Sequence, residues 1–338
     1  MNKTLFRHSE VEDPFAIYHE RLAEGGIHWD KESDCWAIYS YEACLHLLRH
    51  PAVLIPSVPG EGLSVYAQMI KNGLVRLQNP PLHENTRAAT DRLYENIRQP
   101  DWPFLLGSML TSDSIDWVEK VAARLPAAGI LAGVGFDLPQ QQAVFENLPR
   151  LVKIMQPATS PRDATLINEA AITIGKCLEQ RLPGAAVGPV CGLLIQSYDA
   201  GKGILCNALL HACAKGRQKD WPAFVTEVLR YDPPVHHTRR IAGEDLHIGE
   251  HRIKKGDKLV LVLAAAGREG GGGHLAFGAG AHACMARDFV IKMTAECLEY
   301  LFNGWEVRLL PAPLEYEPLY NVRVPCRLPV QLIRRTSQ

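Results

Sequence analysis

The chain has 338 residues, 47% of them hydrophobic, which is ample for one large core and leaves two domains possible on length alone. A formal net charge of −1, with neither half strongly basic, gives a nucleic acid no electrostatic footprint to read. The longest apolar run, from Leu259, is far below the ~20 residues of a membrane span, and the start "MNKTLFRHSEVEDPF" has no apolar signal segment, so a soluble, cytoplasmic protein without a membrane partner is expected.

In chain order, "DPFAIYHERLAEGG" predicts a helix with Asp13 as N-cap, Pro14 in the first turn and glycines at the stop. "IHWDKESDCWAIYS" reads as two strands around a polar turn. "YEACLHLLRHP" is helical up to Pro51, and "IPSVPGEGLS" is a loop. From Pro80 the pattern is mostly helical for about a hundred and thirty residues. "HIGEHRIKKGDKLVLVLAA" predicts strand, turn, strand with Gly249 and Gly256 as turn points. "MARDFVIKMTAECLEYLFNG" predicts a long helix with Val290, Met293, Cys297 and Leu301 on one face and Gly304 as C-terminal cap. The tail reads as short strands, and no internal repeat is present. The fold class is therefore mainly α with small β-sheets.

Nine cysteines, with no C-x-x-C among them, support neither a zinc site nor a thioredoxin-type centre. Most read as small buried apolar residues. Cys284 differs because of its setting, "HLAFGAGAHACMARDF". A helix starting at Cys284 would put the sulfur near unpaired amides at a positive dipole end and favour the thiolate. Gly278 and Gly280 allow positive φ and a close backbone approach to a flat ligand. A nucleophilic enzyme and a thiolate-ligated haem iron both suit that setting.

"FGAGAHACMA", Phe277 to Ala286, resembles the haem-binding loop of the cytochrome P-450 superfamily, F-G-x-G-x-H-x-C-x-G, with Ala286 in place of the last glycine. The resemblance implies a single haem-thiolate domain over residues 1–338. It implies iron protoporphyrin IX (haem b) as cofactor, held by Phe277 and Gly278, with Cys284 as axial ligand to the metal and His282 near a propionate. "PPLHENTR" places His83 and Arg87 where many soluble members bind a propionate, and "HHTRRIA" supplies Arg240 for the other; arginine matches a carboxylate in geometry and stays charged. Glu227 and Arg230 form an E-x-x-R three apart on a helix, which resembles the family's buried structural pair. "LLIQSYDAGKGILCNALL" resembles the helix on the oxygen side of the haem. There Asp199 holds the acid position of the proton-delivery pair, while Ala200 and Gly201 stand where threonines are usual.

The chain also departs from the family. Only "GGGG", Gly270 to Gly273, separates Glu269 from His274, so the meander and its arginine are reduced, with Arg268 as the possible stand-in. The stretch after the central helix, from Asn207 to Glu227, is compressed and predicts a shortened or missing helix. The expected function is a monooxygenase inserting oxygen from O2 into a small organic substrate of secondary-metabolite type. Ferredoxin or flavodoxin would supply electrons, and water or a substrate hydroxyl would assist Asp199. Reductant-independent catalysis (peroxygenase, dehydratase or rearrangement) and a non-catalytic haem-binding protein are the alternatives. A cysteine-nucleophile hydrolase has no motif of its own here and leaves His83, Arg240 and the E-x-x-R unexplained.

Overall fold

The structure is a computed structural model that describes residues 3–156, 159–269 and 273–335. In chain order the first elements are α1 Pro14–Ala23, β1 Ile27–Asp30, β2 Cys35–Ile38, α2 Tyr41–Arg49, β3 Val53–Leu54, α3 Val65–Asn72, α4 Leu82–Glu95, α5 Trp102–Met109 and β4 Ser114–Asp116. They are followed by α6 Leu125–Gly133, α7 Leu138–Leu151, α8 Pro161–Glu179, α9 Gly184–Lys215 and α10 Trp221–Tyr231. The last third holds β5 Thr238–Ala242, β6 Leu246–Ile248, β7 His251–Ile253, β8 Lys258–Leu261, α11 Leu263–Ala266, α12 Arg287–Gly304, β9 Trp305–Leu309 and β10 Pro329–Arg334. No helix among the described residues is long and apolar enough to cross a membrane.

The chain divides into two compact units: Met1–Pro56, Leu110–Glu119 and Gly203–Gln338 form the first, and Ser57–Met109 and Lys120–Lys202 the second. The described strands all belong to the first unit. A five-stranded sheet runs β1-β2-β8-β5-β3, with β2 and β8 parallel and the other neighbours antiparallel. Side chains alternate across a strand, and β8 follows the rule. Leu259 and Leu261 enter a cluster with Ile38, Leu47, Val53 and Leu275, whereas Val260 joins Phe6, Tyr18 and Tyr39. Gly249 (φ +56°) and Gly256 (φ +91°) turn the chain as expected: the first lies in the turn of a separate β6–β7 hairpin and the second between β7 and β8.

The second unit is helical. Gly129 of α6 has no side chain because the Trp102 indole occupies the space: a Cβ there would lie 2.1 Å from the ring. The predicted caps hold at α1, where Asp13 accepts from the Phe15 and Ala16 amides. Gly304 is not the cap expected; it is the last residue of α12, and Trp305 enters β9 directly in extended conformation. Between α9 and α10, residues 216–220 hold no helix, in keeping with the compressed sequence there. The fold is thus mainly helical with small sheets.

Candidate active site

The cysteine loop hangs from the sheet by Leu275, which is buried with Leu259 and Leu261. Three backbone hydrogen bonds close it: Gly278 N–H to Leu275 O at 2.8 Å, Ala283 N–H to Gly280 O at 3.0 Å, and Cys284 N–H to Phe277 O at 2.9 Å. Gly278 (φ +68°) and Gly280 (φ +67°) both lie in the region that glycine alone adopts cheaply. Their roles differ. A Cβ on Gly280 would sit 2.4 Å from Leu48 O, so this glycine lets the loop pass against the end of α2. A Cβ on Gly278 would meet nothing nearer than His282 O at 3.7 Å, which leaves the loop's surface open at that residue.

Cys284 is exposed, and none of the nine cysteines is in a disulfide. The helix does not start at Cys284 as expected. Residues Gly280–His282 form a 3-10 turn, and α12 begins at Arg287 with Ala286 at its N-cap. A helix dipole acts mainly within its first turn, so the closed loop rather than the helix start presents the sulfur. Cys326 is also exposed, whereas most of the other thiols are buried. Burial pushes Cys35 and Cys191 up to about 12 and the half-buried Cys213 up to about 11. In the same loop His282 is half-buried, and the Phe277 ring lies 5.9 Å from both the His274 ring and the Arg287 guanidinium. Arg240 sits on β5 opposite Leu259 and is buried; its guanidinium donates to Thr238 Oγ1 at 2.6 Å and to Arg239 O at 2.8 Å.

The expected buried pair of Glu227 and Arg230 is not formed. Glu227 is exposed and accepts from Lys215 Nζ at 2.9 Å. Arg230 donates instead to Gly267 O at 3.2 Å. Arg268 does not replace the missing arginine at Glu227 either. Its guanidinium donates to Tyr231 O and lies 3.8 Å from the Phe15 ring centroid. The two arginines therefore tie the end of α10 to the turn after α11 through main-chain carbonyls. The half-buried acid nearby is Asp232, which has His211 Nε2 at 3.1 Å and Arg323 at 3.8 Å. The sequence reading passed over this residue, although its place beside Pro233-Pro234 marks the end of α10. Of the four glycines, Gly270, Gly271 and Gly272 lie outside the described residues.

In the second unit, His83 and Arg87 lie one turn apart on α4. His83 is buried, and burial first, then the Arg87 charge, lowers its pKa. Arg87 Nε lies 2.9 and 3.0 Å from the two carboxylate oxygens of Asp91, an i,i+4 partner the sequence reading also missed. On α9, Asp199 and Ala200 are half-buried. Gly201 is fixed sterically, since a Cβ would fall 2.7 Å from Pro126 Cγ. Lys202, one turn on, is buried, with its ammonium 3.4 Å from Asp199 Oδ1 and 4.7 Å from the Tyr198 ring centroid.

No protein-family profile matches the chain. Cytochrome P450 109 of Bacillus spizizenii is 22% identical over 96% of this chain and 94% of its own length. The crystal structure of CalO2 superposes with a TM-score of 0.84 at 18% identity, over 98% of this chain and 100% of that one. Over nearly its whole length the chain is similar to cytochromes P450 and has their fold. Another relative is the beta-dihydromenaquinone-9 omega-hydroxylase of Mycobacterium bovis, 22% identical over 80% of this chain and 66% of its own length. P450BioI, solved in complex with a hexadec-9Z-enoic acid ligated acyl carrier protein, superposes with a TM-score of 0.80 at 20% identity over 95% of this chain and 99% of that one. At 338 residues the chain is short for a P450. The likeness points, at the level of the family, to haem-thiolate monooxygenase chemistry. The residues present suit a haem: an accessible thiol at Cys284, an open loop surface at Gly278, and buried or half-buried arginines for carboxylates.

Proposed function

We propose that this P450 is a monooxygenase that inserts oxygen from O2 into a small organic substrate of secondary-metabolite type, with haem b ligated by Cys284. The observation that carries the reading is the exposed Cys284 in a loop closed by its own main-chain hydrogen bonds, beside the Cβ-free surface at Gly278. Bound haem supplies the activation of dioxygen. The chain's own residues do the rest. Cys284 gives the thiolate. Phe277 and Gly278 line the loop, and His282 stands beside a propionate. Arg240, Arg87 and His83 hold the propionates, and the whole of residues 1–338 acts as one domain. Ferredoxin or flavodoxin supplies electrons.

Asp199 receives protons from solvent and passes them toward the oxygen side of the haem. Ala200 offers no hydroxyl, so an ordered water or a hydroxyl on the substrate completes the path. That missing hydroxyl favours a second reading, a haem-thiolate catalyst needing no external electrons. Turnover of a bound ligand with and without reductant distinguishes them: strict dependence on reductant and O2 supports the monooxygenase, and full turnover without reductant supports the second reading.

A further inference from the structure

Four consecutive residues of α9, Asp199, Ala200, Gly201 and Lys202, carry two polar side chains, and the two meet. Lys202 Nζ is 3.4 Å from Asp199 Oδ1, while the Lys202 side chain is 5% exposed and the Asp199 side chain 24%. Burying an ammonium is costly unless it is paired. Lys202 has its pairing on two sides, the Asp199 carboxylate and, 4.7 Å away, the face of the Tyr198 ring. The cation is therefore held, and the carboxylate it holds keeps a part accessible.

We propose that Lys202 is a positioning residue that orients the Asp199 carboxylate for proton transfer, its ammonium donating to the carboxylate on a turn that carries no hydroxyl. The inference rests on Asp199 being the proton-transferring acid. In each cycle Asp199 takes one proton from water and gives it up to the acceptor. Lys202 keeps all three of its ammonium protons throughout, so the pair ends as it began.

The test uses the haem-loaded enzyme with Lys202→Met, Lys202→Arg, Asp199→Asn and the double variant. Methionine keeps the buried stem without the charge. We expect Lys202→Met to lower kcat and the product formed per reducing equivalent by about 10-fold, part of the contribution of a positioned proton donor. KM should not change, and Lys202→Arg should restore most of the loss. In the Asp199→Asn background Lys202→Met should add nothing further, and thermal unfolding of the same four proteins should be non-additive. The inference is overturned if Lys202→Met turns over like the wild type, if it raises KM alone, or if it costs the same factor beside Asp199→Asn. Should Asp199→Asn slow turnover while Lys202→Met does not, only the inference falls. Should Asp199→Asn itself be silent, the proton-transfer reading of Asp199 falls with it. If Lys202→Met folds poorly, Lys202→Gln provides the same comparison.

Discussion

Glu227 and Arg230 lie one turn apart on α10 and do not touch: the glutamate faces solvent and meets Lys215 at 2.9 Å, and the arginine turns inward to Gly267 O at 3.2 Å. Glu227→Ala removes an exposed ion pair, which typically contributes ~0–1 kcal/mol. Arg230→Ala removes a charge-assisted bond to a buried turn, on the order of 1.5–3 kcal/mol. Urea unfolding should show Arg230→Ala clearly destabilised and Glu227→Ala close to wild type. Equal, large losses would restore the buried pair.

His8 and His236 stack edge to face at 4.4 Å in the interior of the first unit. Burial, then the Arg323 charge, lowers His8 from 6.5 to about 3, with Asp232 opposing. Burial, then the His8 charge, also lowers His236 well below its ordinary value, and its Nδ1 is 2.8 Å from the Tyr18 hydroxyl. The sign follows from linkage: the unfolded chain binds a proton near 6.5 that folded His8 refuses. The stability is fully present above pH 6.5 and drains as pH falls toward 3, by about 1.4 kcal/mol per unit for one proton. Denaturation midpoints measured between pH 7 and 5 should fall, and His8→Phe should flatten the slope. An unchanged slope in His8→Phe would show that His8 is protonated in the fold.

Positions 200 and 201 should respond oppositely to threonine. Ala200 is half-buried, so Ala200→Thr should fold and raise product yield per reducing equivalent if the proton path lacks a hydroxyl. Gly201→Thr would drive a Cβ to 2.7 Å from Pro126 Cγ and should lower stability by about 1–3 kcal/mol. Thermal midpoints and peroxide release measure the two effects. Unaltered or impaired yield in Ala200→Thr would count for the reductant-independent reading.

Arg87→Ala and Arg240→Ala should each lose haem faster to an acceptor protein while keeping a thiolate spectrum until loss. Within the chain Arg87 pairs with Asp91 and Arg240 donates to Thr238. Asp91→Asn should remove this ion pair and leave haem retention intact or improved. Wild-type loss rates in both arginine variants would remove them from the site.

Much of this was legible in the chain itself because it depends on local rules. Asp13 caps α1, Gly249 and Gly256 turn strands, and Gly278 and Gly280 take positive φ, each from a residue type with one conformational use. The cysteine loop stood out for the same reason. What was not legible depends on packing at long range. An E-x-x-R spacing places two side chains on one face but does not say that Lys215 will reach Glu227 first or that Gly267 O will take Arg230. Helix starts are equally contextual, and the 3-10 turn at Gly280–His282 moved α12 past the cysteine. Nothing in the spacing of Lys202 says that its ammonium will be buried.

The absorption spectrum of the reduced, carbon monoxide-treated protein tests the assignment of Cys284 most directly. The account predicts the strongly red-shifted Soret band of thiolate ligation in the wild type and its loss in Cys284→Ser, because a neutral hydroxyl is a poor donor to iron. A wild-type band of the histidine-ligated kind, or a red-shifted band that survives in Cys284→Ser, would contradict it.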